Sequence, residues 1–426
     1  MPAIVTSKFR LHNAEQFVEA FSEASATNMY LFIGRVTPWA DDVNPPTPVD
    51  DFSQTEFDHW RDMISAKRVQ AGDVAHVVPR YNWTSGTVYA QYDHEDANLF
   101  NEQFYVLTED FNVYKCLWNA SGAQSTVKPT GTATSPFTTG DNYKWQFMYT
   151  ISAAETLKFV TPEWHPVKVD ATVAAAATDG AIDVIEVTAG GSGYNAPTVV
   201  IEGDGTGATA TATVTGGVIT GISIQNRGSG YSYANIVIND ATGTGATARS
   251  VIGPKGGHGT DTIHELGGFY VMLNSRLEYG EGGDFPTNND YRKIGLLRDP
   301  EDATTSLTAT GSTYLQATKV ELTSASVSGT FVEDEVVTGG TSDATGRVVN
   351  WDATNNILTL IRVQGDFVDG ETLTGGTSSA SGDVATTGVT DPEMNSYSGD
   401  VIYVENRRPI TRAADQIEDI KLIVEF

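Results

Sequence analysis

The side chains best suited to chemistry sit in one short stretch. Gly256-Gly257-His258-Gly259 is followed by Asp261, His264 and Glu265, so two imidazoles and two carboxylates lie close together. Such a set offers the nitrogen and oxygen donors that hold a divalent metal ion. The spacing is not that of a helical His-Glu-x-x-His site, and no third histidine follows locally. The same residues also read as a glycine-rich turn leading into the apolar run 266–273, with polar side chains capping it. A second set is Arg407, Arg408 and Arg412, three cations in an acidic chain. They could pair within the chain, with Glu405, Asp415 or Glu418. They could equally anchor a neighbouring subunit, because the guanidinium fork fits interface carboxylates. No catalytic or cofactor-binding residue is assigned, and no cofactor is expected.

Other patterns are weaker. Gly203-x-Gly205-x-Gly207 has the look of a dinucleotide fingerprint, but the run 208–214 alternates Ala and Thr as a strand does. It offers no helix N-terminus for a pyrophosphate. Asp41-Asp42, Asp50-Asp51 and Glu333-Asp334-Glu335 read as solvated faces. No Gly-x-Ser-x-Gly elbow occurs. A pair of distant carboxylates for glycoside hydrolysis has nothing positive in its favour. Cys116 is the one cysteine, which forbids an intrachain disulfide and suits assembly in a reducing cytoplasm. It reads as a small buried residue of a strand at 113–117.

The elements that must position these residues are mostly short strands. The chain has 426 residues, enough for several units, and its 42 glycines favour turns over long helices. Against 54 acidic residues stand 26 Lys and Arg, a net charge of −28. That argues against nucleic acid, which needs cations to displace counterions, and against anionic membrane surfaces. An acidic surface suits solubility and basic protein partners. No secretory leader and no apolar run long enough for membrane insertion is read.

A helix is expected over 13–26, capped by Asn13 with Gln16 and burying Phe17, Val18, Phe21 and Ala24. A second is expected over 51–67, with Phe57, Trp60 and Ile64 on its apolar stripe. Pro45-Pro46-Thr47-Pro48 reads as a stiff connection between them. Tyr143, Trp145, Phe147, Tyr149 and Ile151 alternate with Lys144, Gln146, Met148 and Thr150. This predicts a strand with one aromatic face, read as core packing before a carbohydrate platform. Near the end, 401–405 reads as a strand that stops at Asn406-Arg407-Arg408-Pro409, since proline lacks an N–H. Ile420, Leu422, Val424 and Phe426 then predict a half-buried strand whose last residue is tied into the core.

Two segments repeat internally. Gly191-Ser192-Gly193-Tyr194 recurs as Gly228-Ser229-Gly230-Tyr231, and the Gly-Thr-Gly-Ala-Thr-Ala of 205–210 recurs at 243–248. Gly329-x-Phe331-Val332, Glu335 and 338–342 recur as Gly365-x-Phe367-Val368, Glu371 and 374–378. Each repeat is one supersecondary unit. The first predicts a compact β domain with pseudo-twofold symmetry. In the second, Asn355-Asn356 predicts a hairpin turn.

Ordered islands along the chain carry a family resemblance: Ala3-Ile4-Val5-Thr6-Ser7-Lys8-Phe9-Arg10, then Phe32-Ile33-Gly34-Arg35 with Pro38-Trp39. Val78-Pro79-Arg80 with Trp83, Tyr114-Lys115-Cys116-Leu117, and Gly140-Asp141 with Tyr143-Lys144-Trp145 follow. The last is Ile402-Tyr403-Val404-Glu405-Asn406-Arg407 with Pro409-Ile410, an acidic stretch and a final apolar strand. Together they resemble the baseplate wedge proteins encoded by gene eight of T-even-type contractile-tailed phages. The resemblance implies a structural, non-enzymatic virion protein of the tail baseplate, assembled in the host bacterial cytoplasm. It implies a homodimer in each wedge that contacts other baseplate wedge proteins and helps transmit the change that triggers sheath contraction.

The expected fold class is mainly β with a few helices: a discontinuous, sandwich-like core carrying two inserted small β-repeat domains. The core is expected from 1–177, 254–312 and 391–426, with insertions at 178–253 and 313–390. The alternative function is a receptor- or carbohydrate-binding tail module, motivated by Tyr194 and Tyr231 as exposed stacking groups. A polysaccharide-degrading tail enzyme is a third reading.

Overall fold

A computed structural model describes residues 4–23, 27–51 and 54–426. The protein is mainly β, with a few short helices. It divides into two compact units, each discontinuous in sequence. One comprises 1–16, 75–272 and 423–426; the other comprises 17–74 and 273–422. The expected core segments are thus distributed over both.

The first unit is organised by a four-stranded antiparallel sheet, in the order Tyr105–Leu107, Asn112–Trp118, Lys144–Thr150, Phe137–Thr138. The aromatic strand is buried on both faces rather than one. One side joins Val113, Leu117 and Met148 to a core reaching Phe104 and Leu266. The other packs Tyr114, Cys116, Tyr143, Trp145 and Phe147 together. Tyr143 and Trp145 stack with ring centroids 5.4 Å apart. The aromatic row is therefore interior, and burial pushes the Cys116 thiol pKa up.

The first repeat folds into a four-stranded sheet, ordered Thr198–Gly203, Ala234–Asn239, Thr244–Ile252, Ile182–Ser192, with a hairpin of Thr209–Thr215 and Val218–Asn226. Its two copies clasp each other. The Tyr194 ring of the first lies on Gly243 of the second, and its hydroxyl accepts from Ala246 N–H at 3.0 Å. Reciprocally, the Tyr231 ring lies on Gly205, and its hydroxyl accepts from Ala208 N–H at 3.4 Å. A Cβ at either glycine would overlap the ring, which is why both positions are bare. The strand Thr209–Thr215 follows the Gly-x-Gly-x-Gly run, as its alternation predicts.

The second unit contains a five-stranded antiparallel sheet in the order Thr313–Leu315, Met63–Arg68, Met29–Gly34, Asn289–Arg298, Asp400–Arg412. Tyr30, Phe32, Trp60, Met63, Leu297 and Met394 pack on it. The unit also holds a closed six-stranded barrel, ordered Thr318–Leu322, Ile357–Gln364, Thr345–Asp352, Val336–Gly339, Thr372–Gly375, Ser381–Thr390. Val320, Leu322, Val337, Val348, Leu358, Leu360 and Leu373 fill it. Asn356, at φ 57°, makes the predicted hairpin turn. Here the copies exchange carboxylates. Glu335 accepts from Thr377 and Ser378 N–H at 3.0 and 2.9 Å, and Glu371 accepts from Thr341 and Ser342 N–H at 3.1 and 2.9 Å. Glu335 is therefore not part of a solvated face, contrary to the expectation from charge alone.

Several local expectations are corrected. The first helix runs Ser7–Glu19, starting earlier than Asn13, because Thr6 Oγ already accepts from Phe9 N–H at 3.3 Å. Phe17 and Phe21 do meet edge-on at 5.4 Å, while Ala24 lies outside the described residues. The second helix is Gln54–Asp62 and passes directly into the strand Met63–Arg68. Of the expected range, residues 52 and 53 lie outside the described residues. The strand Asp400–Arg412 runs through Pro409 without a break. Its pairing shifts between Tyr291 and Lys293, opposite Ile410 and Asn406, so the proline sits in a bulge on an edge strand, where no N–H is required. Phe426 is half-buried rather than buried.

Candidate functional site

The glycine-rich loop leads into a one-turn helix, Thr262–Leu266. Asp261 caps it, accepting from His264 N–H at 3.1 Å, and Gly267 ends it at φ 76°. This geometry splits the four candidate ligands. Asp261 and His264 stay near the surface, with Nδ1 of His264 2.6 Å from Asp261 Oδ2 and 3.6 Å from Glu15. His258 and Glu265 turn inward. Among the described residues, no group of three or more His, Cys, Asp or Glu is arranged to hold a metal ion.

The inward pair enters a buried charged cluster. Glu265 contacts Lys115 Nζ, which projects from the strand Asn112–Trp118, and accepts from Gly259 N–H at 2.6 Å. His258 lies between two carboxylates, with Nδ1 3.7 Å from Glu265 and Nε2 3.5 Å from Asp183. Asp183 in turn meets Arg227 Nε at 2.5 Å. The Tyr92 ring covers the cluster, 4.6 Å from Lys115 Nζ and edge-on to His258 at 5.0 Å.

Burial dominates the electrostatics. It pulls the Lys115 ammonium below its usual range, against the opposing pull of Glu265. It pulls His258 down too, aided by the Lys115 charge. Burial pushes Glu265 up, but Lys115 and His258 outweigh it and hold the carboxylate below its usual range. Asp183 is likewise lowered, burial being overcome by His258, Arg227 and Lys144. Each buried cation thus faces a carboxylate, which is the composition of a closed ion-pair network. Lys115, Asp183, Arg227 and Tyr92 are not singled out by sequence reasoning. Only the position of Lys115 inside an otherwise apolar strand hints at it, because lysine is almost never fully buried unless paired. Lys144 donates to Asp183 O at 2.6 Å and lines a polar cleft of about 1030 Å³ with Trp118, Asp96, Glu102 and Glu186.

In the second unit the three arginines do not form one surface. Arg412 is enclosed: it meets Glu418 at 2.9 Å and donates to the carbonyls of Tyr279 at 2.8 Å and Pro286 at 3.1 Å. Arg407 pairs with Glu405 at 3.0 Å, and Arg408 Nε donates to Val43 O at 2.8 Å. Arg407 and Arg412 thus take partners within the chain. Two further clusters were not anticipated. Arg35 is buried against Asp290 at 2.5 Å, Glu333 at 2.8 Å and Asp334 at 2.9 Å. Asp62, also buried, bridges Lys293 at 2.8 Å and Arg362 at 2.5 Å. Both tie the barrel to the five-stranded sheet. Next to them burial, helped by the Lys293 charge, lowers His59 to about 4.

Residues 3–117 and 371–426 match the family model described as Bacteriophage T4, Gp8. The baseplate wedge protein gp8 of Enterobacteria phage T4 is 26% identical over 200 residues, covering 38% of this chain and 59% of that protein. The first repeat module and most of the barrel fall outside the matched stretches. Over those two stretches, the chain is similar to the Gp8 family, whose phage T4 relative is a baseplate wedge protein.

Proposed function

We propose that the chain is a structural subunit of a contractile-tail baseplate wedge in a phage virion, assembled in the host cytoplasm. The observation that carries this reading is the pair of matched stretches, which lie at opposite ends of the sequence. On this reading the protein contacts other baseplate proteins, sits as a homodimer in each wedge, and helps pass on the rearrangement that triggers sheath contraction. The buried ion pairs support it: a part that must move as a rigid body needs a fixed interior more than an open pocket. We further propose that the first repeat module and the barrel are insertions into the wedge fold, since both lie largely outside the matched stretches. The carbohydrate-binding alternative loses its motive, because Tyr194 and Tyr231 are 5% and 6% exposed.

The test is reconstitution. The purified chain, alone and mixed with the other baseplate proteins of its phage, is weighed by light scattering. A dimer that enters a larger stoichiometric complex is expected. A monomer that joins no such complex would count against the reading.

A further inference from the structure

The strand Asp400–Arg412 is an edge of its sheet, paired with Asn289–Arg298 on one side. An edge strand turns the N–H and C=O of alternate residues outward, and proteins ordinarily cover or blunt that row. The later half is covered here. Trp39 Nε1 donates to Arg407 O at 2.8 Å, Arg408 Nε donates to Val43 O at 2.8 Å, and Asn406 Nδ2 donates to Pro46 O at 2.9 Å. Pro409 has no N–H to offer.

The earlier half, residues 400–405, has no such cover among the described residues. Among the described residues no strand and no loop backbone pairs with its outer side. A groove of about 550 Å³ runs along Val401, Ile402, Tyr403 and Val404, and Pro48, Val49, Asp50 and Glu56 line it too. Ile402 and Val49 are 41% and 66% exposed. Neither Asp50 nor Glu56 has an ion-pair partner among the described residues.

We propose that this groove takes an extended segment of another protein, alternating apolar and basic residues, as an added strand along 400–405. Main-chain hydrogen bonds to the open edge would supply affinity, and alternate side chains would supply selectivity. One face of the guest meets Ile402 and Val49; the basic residues of the other meet Asp50 and Glu56. A second copy of this chain is the poorer guest. Its own edge carries Asp400 and Glu405, which would meet Asp50 and Glu56 with like charge. The inference stands on the sheet edge and its rim, independent of the wedge reading.

The full chain is titrated with a synthetic peptide of about ten residues alternating valine and lysine, and with its valine–glutamate counterpart. Calorimetry gives affinity, and hydrogen exchange gives the site. The lysine peptide is expected to bind one to one, slow exchange within 400–405, and bind about tenfold more tightly than the glutamate peptide. Asp50→Lys with Glu56→Lys should weaken it about tenfold, and Ile402→Lys should also weaken it, each with an unchanged Tm. No slowing at 400–405, equal affinity for both peptides, or self-association that protects these amides without peptide would overturn the proposal.

Discussion

The two repeat modules solve one problem with different chemistry. Each is built from two copies of a short β unit, and each closes when a side chain of one copy seats in a glycine cradle of the other. In the first module the seated groups are Tyr194 and Tyr231, on Gly243 and Gly205. In the barrel they are Glu335 and Glu371, and an added Cβ at Gly375 or Gly339 would lie 2.7 or 2.5 Å from their carboxylates. The tyrosine clasp is mostly apolar burial with one hydroxyl contact. The carboxylate clasp is hydrogen bonding to backbone N–H groups. A pseudo-twofold unit thus needs reciprocity more than it needs a particular residue, and the chosen residue decides how the closure responds to mutation and pH.

The largest expected effect comes from removing a whole module. Deleting 318–390 is geometrically mild, because Lys319 pairs with Thr390 and the ends are adjacent. It nevertheless strips Glu333 and Asp334 from buried Arg35 and Arg362 from buried Asp62. Arg35 keeps Asp290 and Asp62 keeps Lys293, so each site is weakened rather than orphaned; together the two should cost about 3–5 kcal/mol, as one fully orphaned buried charge would. Urea unfolding should show that loss, and Arg35→Met in the deleted chain should recover part of it. Unchanged stability after deletion would mean that the barrel is not tied to its sheet as described.

Within the modules, Tyr231→Ala should destabilise the first by about 3–5 kcal/mol, the cost of truncating a large buried ring. Backbone exchange should quicken around 205–210 and leave the barrel unaffected. Glu335→Gln should cost the barrel about 1.5–3 kcal/mol, since the amide keeps the shape but loses the charge-assisted bonds to Thr377 and Ser378. Tyr194→Phe is smaller, about 1 kcal/mol, because only the contact with Ala246 N–H is lost. If this removal of a hydroxyl matched Tyr231→Ala, hydrogen bonding would carry the first clasp and the contrast would fail.

Acid should separate the modules in the same direction. Burial pushes Glu335 and Glu371 up, but bonds from Ser378, Val332, Ser342 and Val368 outweigh it, so both lie below 4.5. A lowered carboxylate pKa contributes stability that is present above the unfolded value and is lost as pH falls through the folded one. The barrel should therefore weaken as pH drops below about 4.5. Tyrosine does not titrate there. The first module has its own turn carboxylate, Asp204, whose bonds from Ser232 hold it at about 2 against a usual 3.8. Its acid loss should begin at lower pH, because an aspartate's usual value is 3.8 and a glutamate's is 4.5. Exchange rates measured across pH 5 to 2 would resolve the order, and simultaneous loosening would break the comparison.

Much of this was legible in the sequence. The glycine and tyrosine of each Gly-Ser-Gly-Tyr turn mark the repeat period, and the alternation of Ala and Thr after Gly207 predicts the strand Thr209–Thr215. The exchange between copies was not legible, since a period says nothing about which copy a side chain reaches. Trp60 and Ile64 fit one helical stripe, which extends the expected second helix too far, because Ile64 belongs to the strand Met63–Arg68. Pro409 looks like a break in the sequence because its edge position and the bulge beside it depend on tertiary pairing. The loop at 256–265 reads either as a metal site or as a capped polar turn, and Asp261 does cap the helix that follows it. Its connection to Lys115 and Asp183, far away in sequence, required the fold.

The central proposal is that the chain is a structural part of a phage baseplate, with each repeat module held in one form by its clasp. Cryo-electron microscopy of purified phage tails tests it most directly. The account predicts that the chain fits density in every baseplate wedge, with both modules keeping their internal form before and after contraction. Tails whose baseplates hold no density for this chain would contradict it.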